Sequence, residues 1–251
     1  MNRREFLITL ALLTETTLFG ISEEFDDSLS IFNKDLIAIS LLKKLTKIQT
    51  QVGCRKFNII SFDEMYKTAS YLKCALTKKE IFYIENIFYG NPKLYGFSGS
   101  RTIRSLTESV NSKNITYIEH SGHYLFKGDA IKKYKKIKNL IGPELILTSG
   151  IRMPVKQLYL FLKKSAVSNG NLRVASTSIA PPGFTFHSIG DFDIGKAGYG
   201  MSNFTERFEE TDVFKKLYDG QYISIRYPKD NSFGVRYEPW HIKVVKGSDC
   251  A

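Results

Sequence analysis

Two short segments about fifty residues apart have to be brought together if the polar residues they carry are to act on one centre. The first reads Phe186-His187-Ser188-Ile189-Gly190-Asp191-Phe192-Asp193, the second Tyr237-Glu238-Pro239-Trp240-His241. They contain two of the four histidines in the chain. Zinc takes imidazole and carboxylate ligands, and a catalytic zinc site keeps three protein ligands and one position open to water. His187, a nearby Asp and His241 make such a set, which leaves Glu238 to accept the water's proton.

The local chemistry of the second segment restricts its backbone. Pro239 disfavours helix at Glu238, so this is not the helical His-Glu-x-x-His arrangement. In a regular strand, positions three apart face opposite sides. A turn or bulge at Pro239-Trp240 is therefore needed to bring Glu238 and His241 to one centre. In the first segment, Asp191 and Asp193 share a strand face, and spacing alone leaves both open as the carboxylate ligand.

The rest of the chain has the texture of a folded protein. Its 251 residues can bury a sizeable core, as one large domain or two small ones. Residues 22–125 read as mainly helical. Leu36, Ile37, Ile39, Leu41, Leu42 and Leu45 recur at helical spacing behind Asp35. Ser61-Phe62-Asp63-Glu64 and Thr77-Lys78-Lys79-Glu80 are capping boxes that open two further helices. Arg101–Val110 is read as another helix. After it, Ile131, Tyr134, Ile137 and Ile141 form one stripe of a lysine-rich helix, whose basic side is read as a solvated face. Leu145–Thr148 reads as a buried strand, and Pro154 suits the first turn of the helix that follows. Short strands are expected at Tyr222–Tyr227, Gly234–Tyr237 and Ile242–Val245. The expected class is α+β, a small antiparallel sheet with flanking helices carrying the metal site, preceded by a mainly helical region.

Charge and targeting signals point outward from the cytoplasm. The net charge of +11 favours an anionic partner such as a cell-wall polymer; a nucleic-acid role rests on that charge alone, and we expect none. Asn2-Arg3-Arg4-Glu5-Phe6-Leu7 resembles a twin-arginine export signal, and the apolar run to Leu13 is too short to span a membrane. Export to the periplasm or cell envelope is expected, with the mature chain starting near Ile21 and no transmembrane segment in it. Cys54, Cys74 and Cys250 are too few for a disulfide framework, although Cys54 and Cys74 could pair after export.

Taken in order, Ser149-Gly150-Ile151-Arg152 with Gln157, then Thr185 to Asp193, then Glu238-Pro239-Trp240-His241 resemble the zinc D-alanyl-D-alanine carboxypeptidase family. These are the LAS metallopeptidases, which include the vancomycin-resistance carboxypeptidases. The family pattern is Ser-Gly-x-Arg with a following Gln, Ser-x-His-x-x-Gly-x-Ala-x-Asp, and Glu-x-x-His. The resemblance covers roughly residues 126–247 and implies a division into a signal peptide (1–21), a helical accessory region (22–125) and a zinc peptidase domain (126–251). It implies that His187, Asp193 and His241 bind Zn2+, that Glu238 is the general base, and that Arg152 grips the substrate. Gln157, Thr185 (where the family has Ser) and Trp240 are the further expected substrate contacts. The first segment departs by one residue, since the family's Asp lies seven after the His and Asp193 lies six after. The following Ile194-Gly195 aligns Asp193 with the family position. The implied substrate is a peptidoglycan stem peptide losing its terminal D-Ala, with dipeptidase, endopeptidase or non-catalytic wall binding as rivals. His120 and His123, spaced as His-x-x-His, are read as structural or substrate-contacting and not as metal ligands.

Overall fold

The computed structural model describes residues 36–245. The export signal, Asp35 and Cys250 lie outside the described residues. Three helices come first: α1 (Leu36–Phe57), α2 (Phe62–Tyr71) and α3 (Lys78–Tyr89). Helix α1 is interrupted at Gly53, whose φ of 79° departs from the helix. Both capping boxes form. Ser61 Oγ accepts from the Glu64 amide at 3.2 Å while Glu64 Oε2 accepts from the Ser61 amide at 3.0 Å. The Thr77–Glu80 pair repeats this. Glu80 also accepts from Ser40 and Lys44 at 2.9 and 2.7 Å, which ties α3 to α1.

Residues 115–126, placed in the helical region by sequence, instead form a hairpin of β1 (Ile115–Ile118) and β2 (His123–Phe126). Its alternating Ile115, Tyr117 and Tyr124, Phe126 are β-formers that carry the strand period. The expected helix at Arg101–Val110 is also corrected: that stretch is irregular. Thr102 in it donates from its amide and its hydroxyl to the Gly183 carbonyl, so the segment is held by tertiary contacts and not by an internal helical ladder.

Helix α4 (Asp129–Ile141), strand β3 (Leu145–Ser149), helix α5 (Pro154–Val167) and the short α6 (Leu172–Ser176) follow. Strand β4 (Phe192–Lys196), helix α7 (Asp212–Asp219), β5 (Ile225–Tyr227) and β6 (Glu238–Ile242) complete the order. The sheet is antiparallel throughout, in the order β3-β4-β6-β5. The expected strand at Gly234–Tyr237 does not form, and β6 begins at Glu238.

Two large cores and a smaller cluster around Phe97, Phe184 and Tyr227 hold the described elements. Leu145, Leu147, Phe192, Ile194, Trp240 and Ile242 project from one sheet face onto α4 and α7, where Tyr134, Ile137, Phe214 and Leu217 meet them. The other core joins α1–α3 to α5 and α6, through Leu41, Leu45, Ile84 and Phe88 on one side and Leu158, Phe161, Leu162 and Leu172 on the other. This second core runs across the boundary that the sequence suggested near residue 126. Cys54 and Cys74 are both free.

Candidate metal centre

The sheet face opposite the α4–α7 core carries the polar residues. On β4, Phe192 and Ile194 point into that core, so Asp193 between them points away. The register pairs Asp193 with His241 on β6. Two ladder irregularities then re-aim neighbouring side chains, the usual work of a bulge beside a site. In β3, Leu147 opposes Ile194 but Ser149 opposes Asp193, so one extra residue is inserted. In β6, Ile242 pairs with Ile225 and Glu238 with Tyr227, so the β6 run from 238 to 242 stands against only 225 to 227 of β5. Glu238 thereby joins His241 on one side, with Glu238 Oε2 3.4 Å from His241 Nδ1.

His187 enters from a 3-10 turn, Phe186–Ser188, capped by Thr185, whose Oγ1 accepts from the His187 amide. Its Nδ1–H donates to the Gly150 carbonyl at 2.9 Å. A carbonyl only accepts, so the proton is on Nδ1 and Nε2 presents a bare lone pair. Burial, then the nearby Arg152 cation, lower the His187 pKa to about 4, so the ring is neutral at pH 7. Asp193 Oδ1 lies 3.3 Å from this Nε2, yet neither atom has a hydrogen-bond partner. Two buried acceptors facing each other without a proton are costly unless a cation joins them. His187, Asp193 and His241 each offer a ligand atom, all within 4.8 Å of one another and all buried. The donor set and its two orphaned atoms fit zinc.

The other oxygens and nitrogens nearby are committed. Asp193 Oδ2 accepts from Arg152 Nη2 at 2.5 Å, and Arg152 Nε donates to Ser149 Oγ at 2.7 Å. Although burial works against its charge, Asp193 is held well below the usual carboxylate range, and at neutral pH the cation that holds it there is Arg152. Asp191 accepts from Arg226 Nε and Nη2 at 2.6 and 3.0 Å, from the Val244 amide at 2.8 Å, and from His241 Nε2–H at 3.2 Å. Burial disfavours a charged His241, but its hydrogen bonds to Asp191 and Glu238 and the Asp193 charge outweigh it and raise the pKa to about 9. Burial pushes Glu238 up, the direction expected of a group that must take and return a proton near neutral pH.

This geometry explains the Ser-Gly-x-Arg segment. Ser149 fixes the Arg152 fork, Arg152 fixes Asp193, and the Gly150 carbonyl fixes His187. A Cβ on Gly150 would stand 2.1 Å from the Tyr124 carbonyl oxygen. Gly150→Ala must therefore push β2 off the site. We expect a loss of about 1–3 kcal/mol from this overpacking, read as a lower urea midpoint at unchanged m-value.

Residues 127–246 match the model of the VanY family, D-alanyl-D-alanine carboxypeptidase. This part of the chain belongs to that family. Similar solved structures include the LdcB LD-carboxypeptidase, at 27% identity over 53% of this chain, with a TM-score of 0.43. The match spans 64% of the LdcB chain, just under two thirds of it. Another is the vancomycin-resistance D,D-pentapeptidase VanY in complex with Zn(II), at 24% identity over 53% of this chain and 78% of that one, TM-score 0.43. VanYB in complex with D-alanine-D-alanine is similar at 24% identity, with 53% and 77% coverage and a TM-score of 0.43. No curated protein matches the chain.

Within the matched segment, several expected substrate contacts have partners inside the protein. Gln157 is buried on α5, its Nε2 donating to the Ala180 carbonyl at 2.7 Å, so it holds the turn that leads to Thr185. Thr185 caps the turn that carries His187. Trp240 faces the α4–α7 core, with Phe204 at its edge and the Arg236 guanidinium 5.2 Å from its ring. The neighbours of Gln157 and Trp240, at 180 and 204, come from distant loops that the sequence does not align with them. His123 is on β2, where its Nδ1 accepts from Asn58 Nδ2 at 3.2 Å. His120 is exposed at a turn with φ of 60°. Neither belongs to the metal-ligand group. Sequence reading missed Arg226, whose only local signal is a lone basic residue in an apolar strand.

Proposed function

We propose that this protein is an exported zinc D-alanyl-D-alanine carboxypeptidase that removes the terminal D-Ala from peptidoglycan stem peptides. The observation that carries the reading is the pair of orphaned acceptors, His187 Nε2 and Asp193 Oδ1, gathered with His241 beside the buried Glu238. His187, Asp193 and His241 hold the metal in this reading. Zinc held there would lower the pKa of a water from about 15.7 to about 7. Glu238 is the carboxylate placed to accept a proton from the attacking water and to return it to the departing amine. The Gly150 carbonyl holds the His187 proton on Nδ1, so that Nε2 presents its lone pair. Arg152 has five N–H donors, and those not used by Ser149 and Asp193 are available to a peptide's terminal carboxylate, which guanidinium recognises in bidentate fashion. The family match over residues 127–246 supports the same reaction class. The paired Arg3-Arg4 and short apolar run support export, which places the enzyme with its substrate.

The test is incubation of the zinc-loaded protein with a muropeptide ending in D-Ala-D-Ala, read by mass spectrometry. Loss of one alanine is the expected result. Loss of the dipeptide would instead make it a dipeptidase, and cleavage only of cross-linked material an endopeptidase. No cleavage with zinc bound would leave a wall-binding protein and end the catalytic reading.

A further inference from the structure

His241 is held from both sides by carboxylates, and the two have different surroundings. Asp193 Oδ1 lies 3.6 Å from Nδ1 and has no hydrogen-bond partner. Asp191 Oδ2 lies 3.2 Å from Nε2, and both Asp191 oxygens are saturated once Arg226 and the Val244 amide are counted. Asp191 and His241 are almost wholly buried, and the Arg226 side chain is 13% exposed. Arg226 in turn lies 3.9 Å above the Phe186 ring, next to His187 in sequence. Tyr227 stands edge-on to His241 with ring centroids 5.0 Å apart, so the imidazole is also fenced against rotation.

The geometry points to Asp191 as a positioning residue that, clamped by Arg226, fixes the tautomer and tilt of His241 so that Nδ1 faces the metal. Asp191 only accepts, so a proton is kept on His241 Nε2, and Nδ1, once it has given up the proton that it holds toward Glu238, is the nitrogen that coordinates. A carboxylate behind a ligating imidazole orients the ring and raises its basicity. Asp191 stands two residues before Asp193, where the family pattern quoted above has Ala, so this clamp is a feature of this chain and not of the pattern. Because both Asp191 oxygens are occupied, Asp193 and not Asp191 is the carboxylate ligand in this proposal.

This inference rests on the zinc reading, and the experiment separates the two. Zinc affinity of the full chain is measured by competition with a chromophoric chelator for wild type, Asp191→Asn and Asp191→Ala, with near-UV circular dichroism of each zinc-free protein as the control for folding. Wild type that binds no zinc would defeat the proposed function itself. With zinc bound by wild type, Asp191→Ala is expected to bind about 10–100-fold more weakly. Asp191→Asn, which keeps an acceptor toward His241 but loses the charge, falls between them. A folded Asp191→Ala protein with wild-type zinc affinity overturns the proposal. Should the Ala variant not fold, wild-type affinity in Asp191→Asn overturns it instead. A second readout is the visible spectrum of the cobalt-substituted protein, which a purely structural role for Asp191 would leave unchanged and a re-tilted His241 would alter.

Discussion

Glu238→Gln is expected to keep its zinc and lose hydrolysis by a factor of about 10²–10⁴. Gln matches Glu in size, and Glu238 lies outside the group of three facing ligand atoms, so metal content measured on the purified variant should equal that of wild type. The variant also has a stability signature. Burial raises the folded-state pKa of Glu238 above its ordinary value. Such an acid costs the folded state stability once pH exceeds its unfolded pKa, because ionisation is then easier in the unfolded chain. At pH 7 the neutral Gln escapes that cost, so the zinc-free variant should melt at or above the wild-type temperature. A folded, zinc-containing variant that retains wild-type turnover would remove Glu238 from the chemistry, and a lowered melting temperature would overturn the stability signature.

Asp193→Asn is expected to do the opposite on both counts. It removes the only negative charge among the three candidate ligands, and zinc content should fall sharply together with activity. It also leaves Arg152, whose side chain is 14% exposed, without its buried carboxylate partner. Breaking one side of a buried pair costs about 3–5 kcal/mol, visible as a lower urea midpoint of the zinc-free protein. Unchanged zinc binding and stability in Asp193→Asn would show that the metal group is wrongly drawn. The contrast with Glu238→Gln is informative because both variants exchange one buried carboxylate for its amide within the same small volume.

The residues of the site were readable from sequence to the extent that their roles depend on chemical type. His187, Asp193, His241 and Glu238 are found together, and so is the ladder slip that Pro239 made necessary. The two capping boxes were readable because a cap depends on residues three apart. The choice between Asp191 and Asp193 was not settled by alternation, since both do face the site. The structure distinguishes the two by which oxygens are already occupied, and the occupants of Asp191, Arg226 and Val244, are more than thirty residues away. The same limit applies to residues 97–126. Their hairpin and irregular stretch are fixed by contacts with Asn58, Ile151 and Gly183, none of which lies within the segment. The burial of Gln157 and Trp240 was not readable because a motif position gives a neighbourhood and leaves the side-chain direction undetermined.

The core shared by α1–α3 with α5 and α6 bears on what counts as a module in this protein. The segment recognisable by family, 127–246, is a unit of descent. As a unit of folding it is incomplete, because alone it would leave Leu158, Phe161, Leu162 and Leu172 facing water. The Met153 amide donates to the Asn58 carbonyl at 2.9 Å, one residue from Arg152. The helical region is thus a mechanical abutment for the arginine that steadies Asp193, and substitutions far from the matched segment in sequence can be felt inside it.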